Sequence, residues 1–121
     1  MAYYDTIEEV IFFIEDHLQD DFSLESIANH FNFSKFYFHR LFSAVMGVSL
    51  NNYFVTRRVN ASIALIQNTN HSLTDIAYQL NFSSQAAFTR AFKNQYGFSP
   101  NQLRHKNKML EASPVPQVAK R

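Results

Sequence analysis

The sequence predicts an all-α chain of about seven helices, arranged as two helix-turn-helix subdomains joined by a long linker helix. Three observations lead there. Apolar residues recur at spacings of three and four along most of the chain, the period of a helix with one buried face, and no strand signal interrupts them. Residues 23–51 repeat as residues 72–101. The only two glycines of the chain, Gly47 and Gly97, hold equivalent places in that repeat. Each ends an apolar-periodic segment, where the backbone needs a left-handed residue to leave a helix.

With an offset of 49, Ser23, Leu24, Ile27, Ala28, Asn32 and Phe33 meet Ser72, Leu73, Ile76, Ala77, Asn81 and Phe82. One residue is inserted in the second copy. With an offset of 50, Ser34, Phe38, Arg40, Phe42, Gly47, Ser49 and Asn51 meet Ser84, Phe88, Arg90, Phe92, Gly97, Ser99 and Asn101. Thirteen identities in about thirty positions exceed chance, and two copies suggest a paired device where three or more would suggest a solenoid.

Each element has its own reason. Residues 5–19 place Ile7, Val10, Ile11, Ile14 and Leu18 on one helical face. Ser23 and Ser72 cap the first helix of each copy, followed by Leu24, Ile27, Ala28 and Phe31, or by Leu73, Ile76, Ala77 and Leu80. Asn32–Phe33 and Asn81–Phe82 make the turns, the asparagine tolerating unusual backbone angles and the phenylalanine anchoring the corner. Ser34 and Ser84 cap the second helices, with stripes of Phe38, Leu41, Phe42 and Val45, and of Phe88, Ala91, Phe92 and Tyr96, a helix-turn-helix spacing that an ordinary helical hairpin shares. Between the copies, residues 50–67 form the long helix, with Leu50, Tyr53, Phe54, Ala61, Ala64 and Leu65 inward. The last helix opens with Ser99 as cap and Pro100 at its first position, where a missing N–H does no harm. The expected boundaries are 5–48 for the first subdomain, 49–68 for the linker helix, 69–106 for the second subdomain and 107–121 for a polar tail or linker with Pro114, Pro116, Lys120 and Arg121.

Composition narrows the function. Hydrophobic residues make up 46% of 121 residues, with 13 phenylalanines, enough for a real core. No run of eighteen apolar residues exists to span a membrane, and Met1 to Asp5 lack the layout of a secretory signal. The absence of cysteine removes disulfides and thiolate metal sites and fits the cytoplasm, the expected location. Net charge is only +1, but eight of the ten acids (Asp5, Glu8, Glu9, Glu15, Asp16, Asp20, Asp21, Glu25) lie in the first 25 positions. All eleven basic residues follow from Lys35 onward, so residues 26–121 carry 11 − 2 = +9. That asymmetry suggests an acidic first helix turned away from a basic working surface. Solvated charge without a partner is the bland alternative.

Opposite the apolar stripes, the second helix of copy one offers Lys35, Phe36, His39, Arg40 and Ser43, and that of copy two offers Gln85, Ala86, Thr89, Arg90 and Lys93. These side chains suit base edges in a major groove: Arg reaches guanine O6 and N7 together, Gln pairs with adenine, and Phe, Ala or the Thr methyl meets the thymine methyl. An arginine at the same step of both repeats fits a shared contact to base or phosphate better than a surface ion pair. Phe36 is read either as core or as interface, and His39 as solvated or in contact. Arg57 and Arg58 point about 100° apart on the long helix and cannot both be buried, so at least one should reach a phosphate or lay its stem over apolar neighbours. Eighteen residues at 1.5 Å each give roughly 27 Å, the order needed to set two units about one DNA turn, ~34 Å, apart.

The chain resembles the DNA-binding domain of the AraC/XylS family. The resemblance rests on residues 34–42 (Ser-Lys-Phe-Tyr-Phe-His-Arg-Leu-Phe), on Tyr53 with Arg57, Arg58, Ala61 and Leu65, and on Asp75-Ile76-Ala77. Its most specific part is the closing set Phe82, Ser84, Phe88, Arg90, Phe92, Lys93, Gly97, Ser99 and Pro100, running to Arg104, and it covers residues 5–106. It implies sequence-specific binding of double-stranded DNA in two neighbouring major-groove segments, as a monomer on an asymmetric site, and transcription regulation through RNA polymerase. It implies base contacts from Phe36, His39 and Arg40 and from Gln85, Ala86, Thr89 and Arg90. Phosphate contacts fall to Lys35, Ser43, Arg57, Arg58, Ser84 and Lys93. Small polar residues or tryptophan are frequent in the family where this chain has Phe36, His39, Ala86 and Ala87, which leaves the target sequence open and suggests less direct readout by the second unit. Members often carry a separate effector-sensing domain, and the tail from Asn107 would serve as the linker.

Other classes fit less well. The five histidines (17, 30, 39, 71, 105) show no metal-ligand spacing, and there is neither a Gly-rich phosphate loop nor a nucleophile motif, so no enzyme, metal or cofactor is expected. A helical protein-interaction module without DNA binding is the remaining alternative.

Overall fold

The computed structural model describes residues 3–20 and 23–106, and among them seven helices and no strand. They are α1 (Tyr3–Asp16), α2 (Leu24–His30), α3 (Lys35–Met46), α4 (Leu50–Asn68), α5 (Leu73–Gln79), α6 (Gln85–Tyr96) and α7 (Pro100–Lys106). The polar tail expected from Asn107 lies outside the described residues. Tertiary contacts divide the chain into two compact units inside α4, between Phe54 and Val55.

The serines start the helices as their hydroxyls allow. Ser23, Ser34, Ser72 and Ser84 all hold extended backbone and accept the N–H three residues on. At α2 the bond is reciprocal, Ser26 N–H to Ser23 Oγ and Ser23 N–H to Ser26 Oγ, both 3.0 Å. At α7 Ser99 and Gln102 form the same box, with Ser99 N–H on Gln102 Oε1 at 2.8 Å and Gln102 N–H on Ser99 Oγ at 3.0 Å. Each such cap is worth about 1 kcal/mol.

The helix ends follow two patterns. Gly47 and Gly97 leave α3 and α6 at φ 77 and 83, the left-handed region. Asn32 and Asn81 do the same work after α2 and α5, at φ 63 and 65. In both turns the residue after the asparagine reaches back five residues: Phe33 N–H to Ala28 O at 2.8 Å, and Phe82 N–H to Ala77 O at 2.9 Å. A second bond, Asn32 N–H to Asn29 O and Asn81 N–H to Tyr78 O, completes the Schellman motif.

In the first unit α1, α2 and α3 bury Ile7, Val10, Ile14, Ile27, Ala28, Phe38 and Phe42, joined by Leu50, Tyr53 and Phe54 from the start of α4. Fully burying an aromatic or branched side chain stabilises by roughly 1.5–3 kcal/mol, so the Phe38–Phe42 pair anchors α3. In the second unit Ile76, Ala77, Leu80, Phe88, Phe92 and Leu103 pack on Val59, Ile63 and Ile66 of α4.

Two expectations need correction. The first helix starts two residues earlier and ends at Asp16, because residues 17–20 turn instead of continuing to 19. Ala64 is exposed; the buried residues of that half of α4 are Val59, Asn60, Ser62, Ile63 and Ile66, at the spacings that a period of 3.6 puts on one face. Ala61 and Leu65 pack at the margin of that core.

Candidate DNA interface

A helix that buries Phe38 and Phe42 completely turns its opposite face outward. In α3, Lys35, Phe36, His39 and Arg40 are exposed and Ser43 is half-buried. Phe36 is 72% exposed, which removes the core reading of that residue. The ammonium of Lys35 stands 5.7 Å from the centre of the Phe36 ring, a cation–π distance that sets a charge beside an apolar plate.

Burial of Phe88 and Phe92 does the same for α6. Gln85, Ala86, Arg90 and Lys93 are exposed, while Thr89 and Ser84 are half-buried. The Ser84 oxygen accepts the Ala87 N–H at 3.0 Å, so the hydroxyl proton is what remains for a ligand. Gln85 is already engaged: the Thr74 hydroxyl of α5 donates to its Oε1 at 2.6 Å.

Neither α3 nor α6 contains an acid. Among the described residues, Arg40 and Arg90 carry no ion pair. Both guanidiniums thus extend from equivalent steps of equivalent helices without a partner among the described residues. Arg57 and Arg58 differ. Both are half-buried and each already has an interaction within the protein, so a phosphate would share them with it.

Three supporting residues escaped the sequence reading. Asn60 of α4 is 8% exposed, and its Oδ1 accepts Gln95 Nε2 at 2.7 Å and the Tyr96 hydroxyl at 2.6 Å, tying the C-terminal turn of α6 to α4. Arg104 of α7 donates to the carbonyls of Ile66, Thr69 and His71 at 3.1, 3.2 and 2.5 Å, closing the end of α4. Thr74 is the third. None had a periodic signal, since each pairs with a residue on another element; only the rarity of a polar side chain beside an apolar stripe could have marked Asn60.

Residues 27–106 match the helix-turn-helix domain family. Among curated proteins the chain is similar to the uncharacterized HTH-type transcriptional regulator YbfP of Bacillus subtilis, 40% identical over 86% of this chain and 35% of that protein. It is also similar to the regulatory protein SoxS of Escherichia coli, 28% identical over 88% of this chain and 99% of that one. The chain therefore spans about a third of the length of YbfP and nearly all of SoxS. Among solved structures, the DNA-binding domain of the global transcriptional factor AdpA, in complex with a target DNA, superposes with a TM-score of 0.77 at 27% identity, over 82% of this chain and 89% of that one.

Proposed function

The chain belongs to the AraC-type helix-turn-helix family, and from that membership we propose that it is a transcription regulator that binds double-stranded DNA sequence-specifically through α3 and α6. The two helices enter neighbouring major-groove segments of one site. Phe36, His39 and Arg40 read the first segment and Gln85, Ala86, Thr89 and Arg90 the second, while Lys35, Ser43, Arg57, Arg58, Ser84 and Lys93 hold the phosphates. One chain suffices, so the site is asymmetric, and RNA polymerase is the protein partner through which binding acts on transcription.

One observation carries this reading. The frame is built twice, with the same serine caps, asparagine turns, buried phenylalanine pairs and left-handed glycines, yet the exposed faces share little besides Arg40 and Arg90. A packing device would repeat its surface along with its core. A two-part reader keeps the frame and varies the face. The experiment is direct titration of the chain against a duplex selected from random DNA, alongside Arg40→Ala and Arg90→Ala. Each variant should relax base preference in a different half of the duplex. Absence of binding at low salt would leave the interaction-module alternative standing.

A further inference from the structure

The hydrogen bond between Thr74 and Gln85 changes what Gln85 can recognise. Glutamine on a reading helix is ordinarily matched to adenine, with its carbonyl accepting from N6–H2 and its amino group donating to N7. Here the Thr74 hydroxyl stands on that carbonyl at 2.6 Å, a short and well-formed O–H···O bond. A separation of 2.6 Å suits an O–H···O bond and is short for N–H···O, which puts Oε1 at Thr74, and among the described residues no acceptor holds the opposite end, Nε2. Gln85 is exposed at the first position of α6, directly after the Ser84 cap, where a reading helix meets base edges. We infer that Thr74 is a positioning residue that makes Gln85 a donor, so that the second unit prefers guanine, whose O6 and N7 are adjacent acceptors, over adenine at the base Gln85 faces. The inference rests on the DNA-reading function proposed above and deepens it.

Oε1 keeps one lone pair, so adenine is disfavoured and not forbidden. Donation from the threonine polarises the amide and strengthens Nε2 as a donor, more so once DNA displaces water from an exposed bond. The device belongs to the second unit alone. At the equivalent positions of the first copy stand Glu25 and Lys35, which are not paired with each other among the described residues; Lys35 lies over Phe36 instead. The duplication therefore kept the frame and placed different side chains across the same gap between its two helices.

The test uses a duplex selected by the intact chain from random DNA, made in all four versions of the base pair whose preference is lost in Gln85→Ala. The wild-type chain should favour guanine over adenine there by roughly fivefold or more. Thr74→Val, which keeps the shape and removes the hydroxyl, should bring that ratio to within about twofold. Thr74→Ser, which restores the hydroxyl, should recover it. All three should share one thermal midpoint, since Thr74 is exposed. A wild-type preference for adenine, or an unaltered ratio in Thr74→Val, overturns the inference while leaving DNA reading intact. Uniform weakening of all four duplexes by Gln85→Ala also overturns it, by making Gln85 a phosphate contact. Failure of the wild-type chain to enrich any sequence overturns the DNA-reading function itself.

Discussion

Replacing Arg104 by methionine keeps an unbranched apolar stem and removes the guanidinium, which isolates what its bonds contribute. Helix α4 has no glycine to close it, unlike α3 and α6, and its last carbonyls would be orphaned. They are met by side chains: Thr69 Oγ1 donates to Leu65 O at 2.5 Å, and Arg104 reaches Ile66, Thr69 and His71. The longest of its contacts, to Leu65 O at 3.4 Å, adds little. Hydrogen bonds to a charged donor contribute about 1.5–3 kcal/mol each when their loss strands a buried group. Arg104 is half-buried and the His71 carbonyl is wet, so water replaces part of what is lost. The favourable position of a cation at a helix C-terminus adds roughly 0.3–1 kcal/mol. The expected loss for Arg104→Met is therefore about 2–3 kcal/mol, or roughly 10–20 °C in Tm for a unit of this size. Arg104→Lys should fall between, because an ammonium keeps the charge and cannot fork to several carbonyls. Urea denaturation followed by circular dichroism measures it. A loss below about 0.5 kcal/mol would refute the closure assigned to Arg104.

Other expectations follow from the same features. Gly97→Ala and Gly47→Ala should each cost about 1–2 kcal/mol, because both glycines have positive φ while an added Cβ meets nothing within 4 Å; denaturation of the two variants should give matching losses, and stable variants would contradict the backbone argument. Arg40→Ala and Arg90→Ala should each weaken specific binding by about 1–3 kcal/mol without moving Tm, since both are exposed; equal binding to the selected duplex would remove their role. With the four cations Lys35, Arg57, Arg58 and Lys93 on phosphates, affinity should fall roughly a hundredfold between about 50 and 200 mM salt. A flat salt response would contradict an electrostatic interface.

Much of the fold was legible because it is written locally. A serine before an apolar period, an asparagine–phenylalanine corner and a glycine at the end of a stripe are decided within a few residues, and the duplication states each signal twice. The long helix was harder to read. Its inner face changes from one unit's core to the other's near Val55, so one stripe drawn along its length assigned Ala64 inward and overlooked Ile63 and Ile66. The outward faces of α3 and α6 were legible as the complement of the buried phenylalanines. The partners of those faces were not. Thr74 with Gln85, Asn60 with Gln95 and Tyr96, and Arg104 with the end of α4 are meetings between elements, and spacing along the chain carries no trace of them.

The most direct test of a duplicated frame with divergent faces is the form of the DNA it selects. Selection from a random duplex pool by the chain should yield one non-palindromic site of two dissimilar elements, the first losing definition in Arg40→Ala and the second in Arg90→Ala. An inverted repeat of a single element, or a pool that emerges unenriched, would contradict it.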